Sequence, residues 1–247
     1  MTNCLTHSRR PQAGEYDIAT TPLSNIQIGR NLSSILPGLP ALLRKRPVYS
    51  YVVTTAKLRH GSFVQTGSGP NLLGGAITLC SCKHKDRCSA PKYEGPDASD
   101  PWKGIWIAGI CSIEEHQPNA LFYLMLVAQT FDSQCKAWNS RKVIPNKLAK
   151  AAHLSRVGDL YQPKTRQIRN EHDPAEYKPS APNHKHDEEW REKDIGACFY
   201  GRFHTLLVGD AGHCYAWAQP TEVMRTSFAP KHHKFFKTLS AFRSQFR

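Results

Sequence analysis

Apolar and β-branched positions gather into short blocks along most of the chain after residue 47. "VYSYVVTTAKL" (48–58) is dense in Val, Tyr and Thr, as a strand should be. "AITLCSC" (76–82), "IWIAGICSI" (105–113) and "ALFYLMLVAQT" (120–130) predict three more strands. "FDSQCKAWN" then predicts a short helix that Thr130 or Asp132 would cap. "FHTLLVGD" (203–210) and "HCYAWA" (213–218) predict two short strands across a Gly-containing turn. In the tail, Phe235, Leu239, Phe242 and Phe246 recur at helical spacing and predict a basic helix after Pro230.

Polar stretches separate these blocks. Residues 60–75 and 90–104 read as Gly-, Ser- and Pro-rich loops, and 162–195 as a long polar insertion. Residues 1–46 are broken by proline and read as an extended basic arm, with one short helix near 32–36 and a cluster at Arg44, Lys45 and Arg46. There is no internal repeat. The expectation is an α+β fold, mainly β: a curved sheet or small barrel with short peripheral helices and long polar loops. It would form one domain over 47–247, not a doubly wound βαβ fold.

Composition adds a direction. The chain has 247 residues, and 33 Lys and Arg against 20 Asp and Glu give a net charge of +13. That excess favours polyanionic partners. No apolar run approaches the about 20 residues of a spanning helix, and the N-terminus lacks the apolar stretch of a secretory leader. A cytoplasmic setting without a membrane partner is therefore expected, in which the eight cysteines are read as thiols or metal ligands. No phosphate-cradling or dinucleotide glycine motif is present, nor a zinc-protease or deaminase signature, so no cofactor is expected.

Three constellations carry candidate chemistry. In a strand, Cys80 and Cys82 share a face. With Cys88 and either His84 or Cys111 they could hold zinc, or they could be buried thiols. Lys83, Lys85 and Arg87 alternate behind them and suit phosphate contact, or a charged sheet edge. "NHKHDEEW" (183–190) could bind metal or simply be solvated. Tyr49, Tyr51, Trp102, Trp106, Tyr161, Tyr215 and Trp217 punctuate the strands; they could pack the core or line a base pocket.

Taken in order, "YSYVVT", "GGAITLCSCKHKDR", "WKGIWIAGI", "LFYLMLVAQTFDSQCKAW", "RVGDLYQ" and "TLLVGDAGHCYAWAQP" resemble the nucleotide modification-associated domain 2 family of phage and bacterial proteins, over about residues 47–240. Where that family has Gly-Asp-Trp, this chain has Gly104, Ile105 and Trp106, without the acid. The resemblance implies a role near hypermodified bases. By analogy of fold it implies a PUA-like barrel of the EVE and YTH kind with an aromatic base pocket. On that footing Trp106, Tyr161 and Trp217 would stack a modified base. Tyr51, Ser81, Asp159 and Asp210 would read its edges, and Lys83, Lys85, Arg87 and Arg156 would neutralise phosphates, of DNA in preference to RNA. An enzyme acting on a modified base or nucleotide is the alternative, with Asp159, His153 or His213 as acid–base groups. A zinc-stabilised interaction protein is the second.

Overall fold

The computed structural model describes residues 16–17, 26–66, 69–80, 100–113, 119–140, 144–155, 157–182, 188–196, 206–226 and 233–247. Its centre is a curled, half-barrel sheet built on four strands joined by three pairings. Strand β3 (Val48–Val52) runs parallel to β7 (Trp106–Ser112); β7 pairs antiparallel with β8 (Asn119–Phe131), and β8 with β9 (Leu206–Ala216). Strand β2 (Gln27–Ile28) closes one edge beside β9, β10 (His233–Phe236) closes the other beside β3, and β6 (Thr78–Leu79) pairs with β9. A second, three-stranded sheet sets β5 (Ser62–Gln65) between β1 (Tyr16–Asp17) and β4 (Ala56–Arg59). The fold is α+β and mainly β, with few short helices, as the sequence pattern predicts. Among the described residues no helix is long and apolar enough to cross a membrane.

Side-chain alternation builds two cores, one on each face of the sheet. On β7, Trp106, Ala108 and Ile110 face one way, and Ile107 and Cys111 the other. The first face is covered by α1 (Leu32–Gly38) and α6 (Leu239–Arg243) with the residues that follow them, through Leu32, Ile35, Leu39, Leu239, Phe242 and Phe246, and by the half-buried Leu43 of α2 (Ala41–Arg44). The second is filled by Tyr49, Tyr51, Phe63, Trp102, Phe122 and Tyr123. Phe122 is the extra residue of a β-bulge, since Gly109 pairs with Tyr123 and Ile110 with Leu121. The bulge turns Phe122 and Tyr123 to the same face, and the Tyr123 ring lies across Gly109. A Cβ there would stand 2.1 Å from Tyr123 Cε1, so only glycine fits.

Several expectations are corrected. Residues 26–46 are not an extended arm: Leu32, Ile35 and Leu39 follow i, i+3, i+7 spacing and bury against the Trp106 face. Residues 62–65 are a strand, joined to β4 by a two-residue turn at His60 and Gly61, where a loop was expected. The 206–216 region is one strand with an irregular stretch, because its pairing jumps from Gly209 to Cys214 while β8 advances only from Met125 to Val127. The tail holds strand β10 before its helix, since the edge of β3 offers Phe235 and Phe236 a pairing partner. Ser133, not Thr130 or Asp132, caps α3 (Gln134–Asn139), accepting from Lys136 N at 3.1 Å. The polar insertion carries a 3-10 turn at Pro174–Glu176 and α5 (Glu188–Gly196), with Tyr177 and Ile195 fully buried.

Candidate functional site

Beside the main sheet, satellite cores under α3 and α4 (Lys147–Lys150) enclose a knot of polar side chains. Lys150 Nζ donates to Asn71 O and to Thr78 Oγ1, both at 2.9 Å. Thr78 Oγ1 donates to Asp159 Oδ2 at 2.6 Å, and Asn71 Nδ2 donates to Asp159 Oδ1 at 3.0 Å. Lys150, Thr78 and Asn71 have no exposed surface, and Asp159 has 6%. Burial holds the Lys150 amine down at about 8, opposed by the Asp159 charge. Burial likewise raises the Asp159 carboxyl, opposed by Lys150 and the two hydrogen bonds.

The same knot pins three chain segments. Gln134, at the start of α3, donates from Nε2 to Asp159 O at 3.3 Å and accepts from Tyr161 N at 3.1 Å. Lys150 O accepts from the backbone N–H groups of Asp159 and Leu160. A four-residue helix such as α4 has little stability of its own, so these bonds set its position. Gly74 completes the seat: its φ is 74°, and a Cβ would lie 2.6 Å from Asn146 O.

Those three segments are the walls of an open cleft of about 720 Å³. Trp138 and Asn139 come from α3, Lys147 and Leu148 from α4, and residues 162–166 supply the third wall. Lys147 Nζ donates to the Trp138 carbonyl and ties two walls together. The third wall pairs with the 176–178 stretch through Lys164 N to Glu176 O and Lys178 N to Gln162 O, each 2.9 Å. Buried phenols hold that ribbon down: Tyr161 OH donates to Asp194 Oδ2 at 3.1 Å and Tyr177 OH to Glu171 O at 2.6 Å. Among the described residues, the lining holds three cations, Lys147, Lys164 and Arg166, and no carboxylate residue. The ring of His153 lies 6.3 Å from that of Trp138; desolvation and then the Lys178 charge lower its pKa.

No family model matches the chain, and neither a curated protein nor a solved structure matches it. The family resemblance drawn above therefore rests on its motifs alone.

The structure does not bring the expected base-binding residues together. Trp106 and Trp217 pack under the helices, with Trp106 Nε1 bonded to Leu43 O at 2.9 Å. Tyr51 is on the opposite face, where its hydroxyl accepts from Tyr123 OH at 2.8 Å. Tyr161 lies under the ribbon, and all four aromatics are at most 3% exposed. Asp159 belongs to the knot, and His153 flanks the cleft through Trp138. Asp210 and His213 meet, Oδ1 to Nδ1 at 2.9 Å, on the irregular part of β9, with the Trp106 ring edge-on to His213. Ser81, Cys82, Lys83, His84, Lys85, Arg87, Cys88 and Arg156 lie outside the described residues, as do 183–187. Cys80 and Cys111 are buried in different cores, Cys111 with its thiol pushed up to about 12 by burial. Among the described residues no group of three His, Cys, Asp or Glu could hold a metal ion.

Sequence reasoning missed Asn71, Thr78, Gln134, Lys150, Trp138, Lys147, Lys164 and Arg166. One signal was available: "NKLAK" places Lys147 and Lys150 one turn apart behind an Asn146 cap, beside apolar neighbours.

Proposed function

We propose that the chain is a nucleic-acid-associated module whose polyanion site is the cleft between α3, α4 and residues 162–166. One observation carries the reading: Lys147, Lys164 and Arg166 line a concave site that has no carboxylate among its described residues, next to a tryptophan. Phosphates bind such cations by releasing counterions, and an aromatic ring offers a base a face to stack on. The net charge of +13 supports the same partner class. The motif resemblance adds a modified base, on DNA in preference to RNA, as the natural target. The four described cysteines, all free thiols, agree with a cytoplasmic setting.

The test is fluorescence anisotropy with a labelled oligonucleotide over a salt series. Each lost phosphate contact lowers the log–log salt slope by about 0.7–0.9. Lys147→Ala, Lys164→Ala and Arg166→Ala together should weaken binding and flatten the slope by about 2. Unchanged affinity and slope would refute the site.

A second reading, an enzyme on the same nucleotide, is favoured by the buried Lys150, Thr78 and Asp159 relay, whose lysine shares α4 with the cleft residues Lys147 and Leu148. Turnover of a modified nucleoside that Asp159→Asn abolishes in a folded variant would support it. Turnover that survives the substitution would remove Asp159 from the chemistry.

A further inference from the structure

The walls of the cleft carry two kinds of chemistry. Lys164 and Arg166 are exposed and have no carboxylate partner among the described residues. They are suited to phosphate. Trp138 is half-buried, and Leu148 is 60% exposed although leucine is costly to leave in water. A phosphate gains nothing from these two side chains, whereas a base face does. In a duplex the base faces cover one another, and a protein meets only edges and backbone. The apolar wall is therefore useful only if a base is unpaired.

We propose that the cleft takes an unpaired stretch of polynucleotide, with a base against Trp138 and Leu148 and the neighbouring phosphates held by Lys147, Lys164 and Arg166. This rests on the cleft being the nucleic-acid site. The size agrees: about 720 Å³ falls among sites that enclose small ligands, about 300–1,000 Å³, and is far too small for a double helix. The remaining polar liners, Asn139, Gln162 and Thr165, offer both donors and acceptors. Such a set accommodates any base edge, so sequence preference is weak. The walls are held before the strand arrives, by Gln134, Lys150 and Asp159 beneath and by Lys147 to the Trp138 carbonyl above. Binding then orders the strand more than the protein.

The full chain is titrated with four labelled probes of about a dozen nucleotides at about 0.15 M salt: a DNA single strand, its duplex, an abasic strand with the same phosphates, and an RNA strand. The single strand should bind at least about tenfold tighter than the duplex and about tenfold tighter than the abasic strand. Trp138→Ala should bring the single strand down to the abasic level with an unchanged salt slope, and Trp138→Phe should restore most of the loss. The DNA and RNA arms tell which sugar the site accepts. Equal affinity for single strand, duplex and abasic strand overturns the inference. If Lys164→Ala and Arg166→Ala still weaken all three, the nucleic-acid reading stands and only this inference falls. If the wild-type chain binds none of the probes, both fall. The abasic comparison uses wild-type protein, so a misfolded variant cannot mimic the result.

Discussion

Replacing Lys150 by methionine keeps the side-chain length and removes the cation beside the buried Asp159 carboxylate. The ammonium makes two hydrogen bonds at 2.9 Å in a site without solvent exposure. Removing one partner of a buried pair costs about 3–5 kcal/mol, because the other charge stays behind uncompensated. For a chain of this size that lowers the melting midpoint by on the order of 10 °C. The double variant Lys150→Met with Asp159→Asn removes both charges and should recover most of the loss. The pH dependence gives a second signature. Lys150 titrates near 8 when folded and at its ordinary 10.5 when unfolded, so between those values the folded chain binds fewer protons. Stability from this lysine therefore rises with pH across that window, by up to about 3 kcal/mol. Cys111 and Cys214, both pushed up to about 12, act in the opposite direction above pH 9, but in both proteins, and largely cancel in the difference. Urea unfolding followed by tryptophan fluorescence, at neutral pH and near about pH 9.5, should show a gap that widens as pH rises. A gap below about 1 kcal/mol, or one that narrows with pH, refutes the reading of the knot.

Gly109→Ala drives a methyl to 2.1 Å from Tyr123 Cε1 and 2.7 Å from Val53 Cγ2. The Tyr123 ring must leave and break its bond to Tyr51, costing about 3 kcal/mol in chemical denaturation. His153, held below its ordinary 6.5, gains charge beside Trp138 as pH falls. Oligonucleotide affinity should therefore rise from pH 7 towards about pH 5, and His153→Gln should remove part of that rise in anisotropy titrations. Thiol labelling near about pH 8, mapped by mass spectrometry, should leave Cys111 and Cys214 unmodified in the folded chain and modify both in urea.

The strands were legible where β-branched and aromatic residues run without interruption, as in β3, β7 and β8. The arm was misread because Pro37, Pro40 and Pro47 obscure the i, i+3, i+7 spacing of Leu32, Ile35 and Leu39. The expected base pocket fails on strand geometry. Period-two alternation and parallel pairing send Trp106 and Tyr51 to opposite faces, so no pocket can hold both. The knot was illegible for a different reason. "KLAK" reads as surface charge, and Lys150 becomes a buried group only through Asn71 and Thr78, 79 and 72 residues earlier in the chain. The cleft likewise joins α3, α4 and the ribbon, whose closeness follows from that long-range bonding. The charge excess pointed to a polyanion, but not to which of the 33 cations meet it.

Photo-crosslinking tests that assignment most directly. A single-stranded oligonucleotide with a photoreactive base is bound to the full chain, irradiated, and its adducts are mapped by mass spectrometry. Adducts at Trp138 or within residues 162–166, lost in the Lys164→Ala and Arg166→Ala variant, are the predicted result. Adducts confined to the basic run at Lys83, Lys85 and Arg87, and indifferent to that variant, would contradict the cleft as the nucleic-acid site.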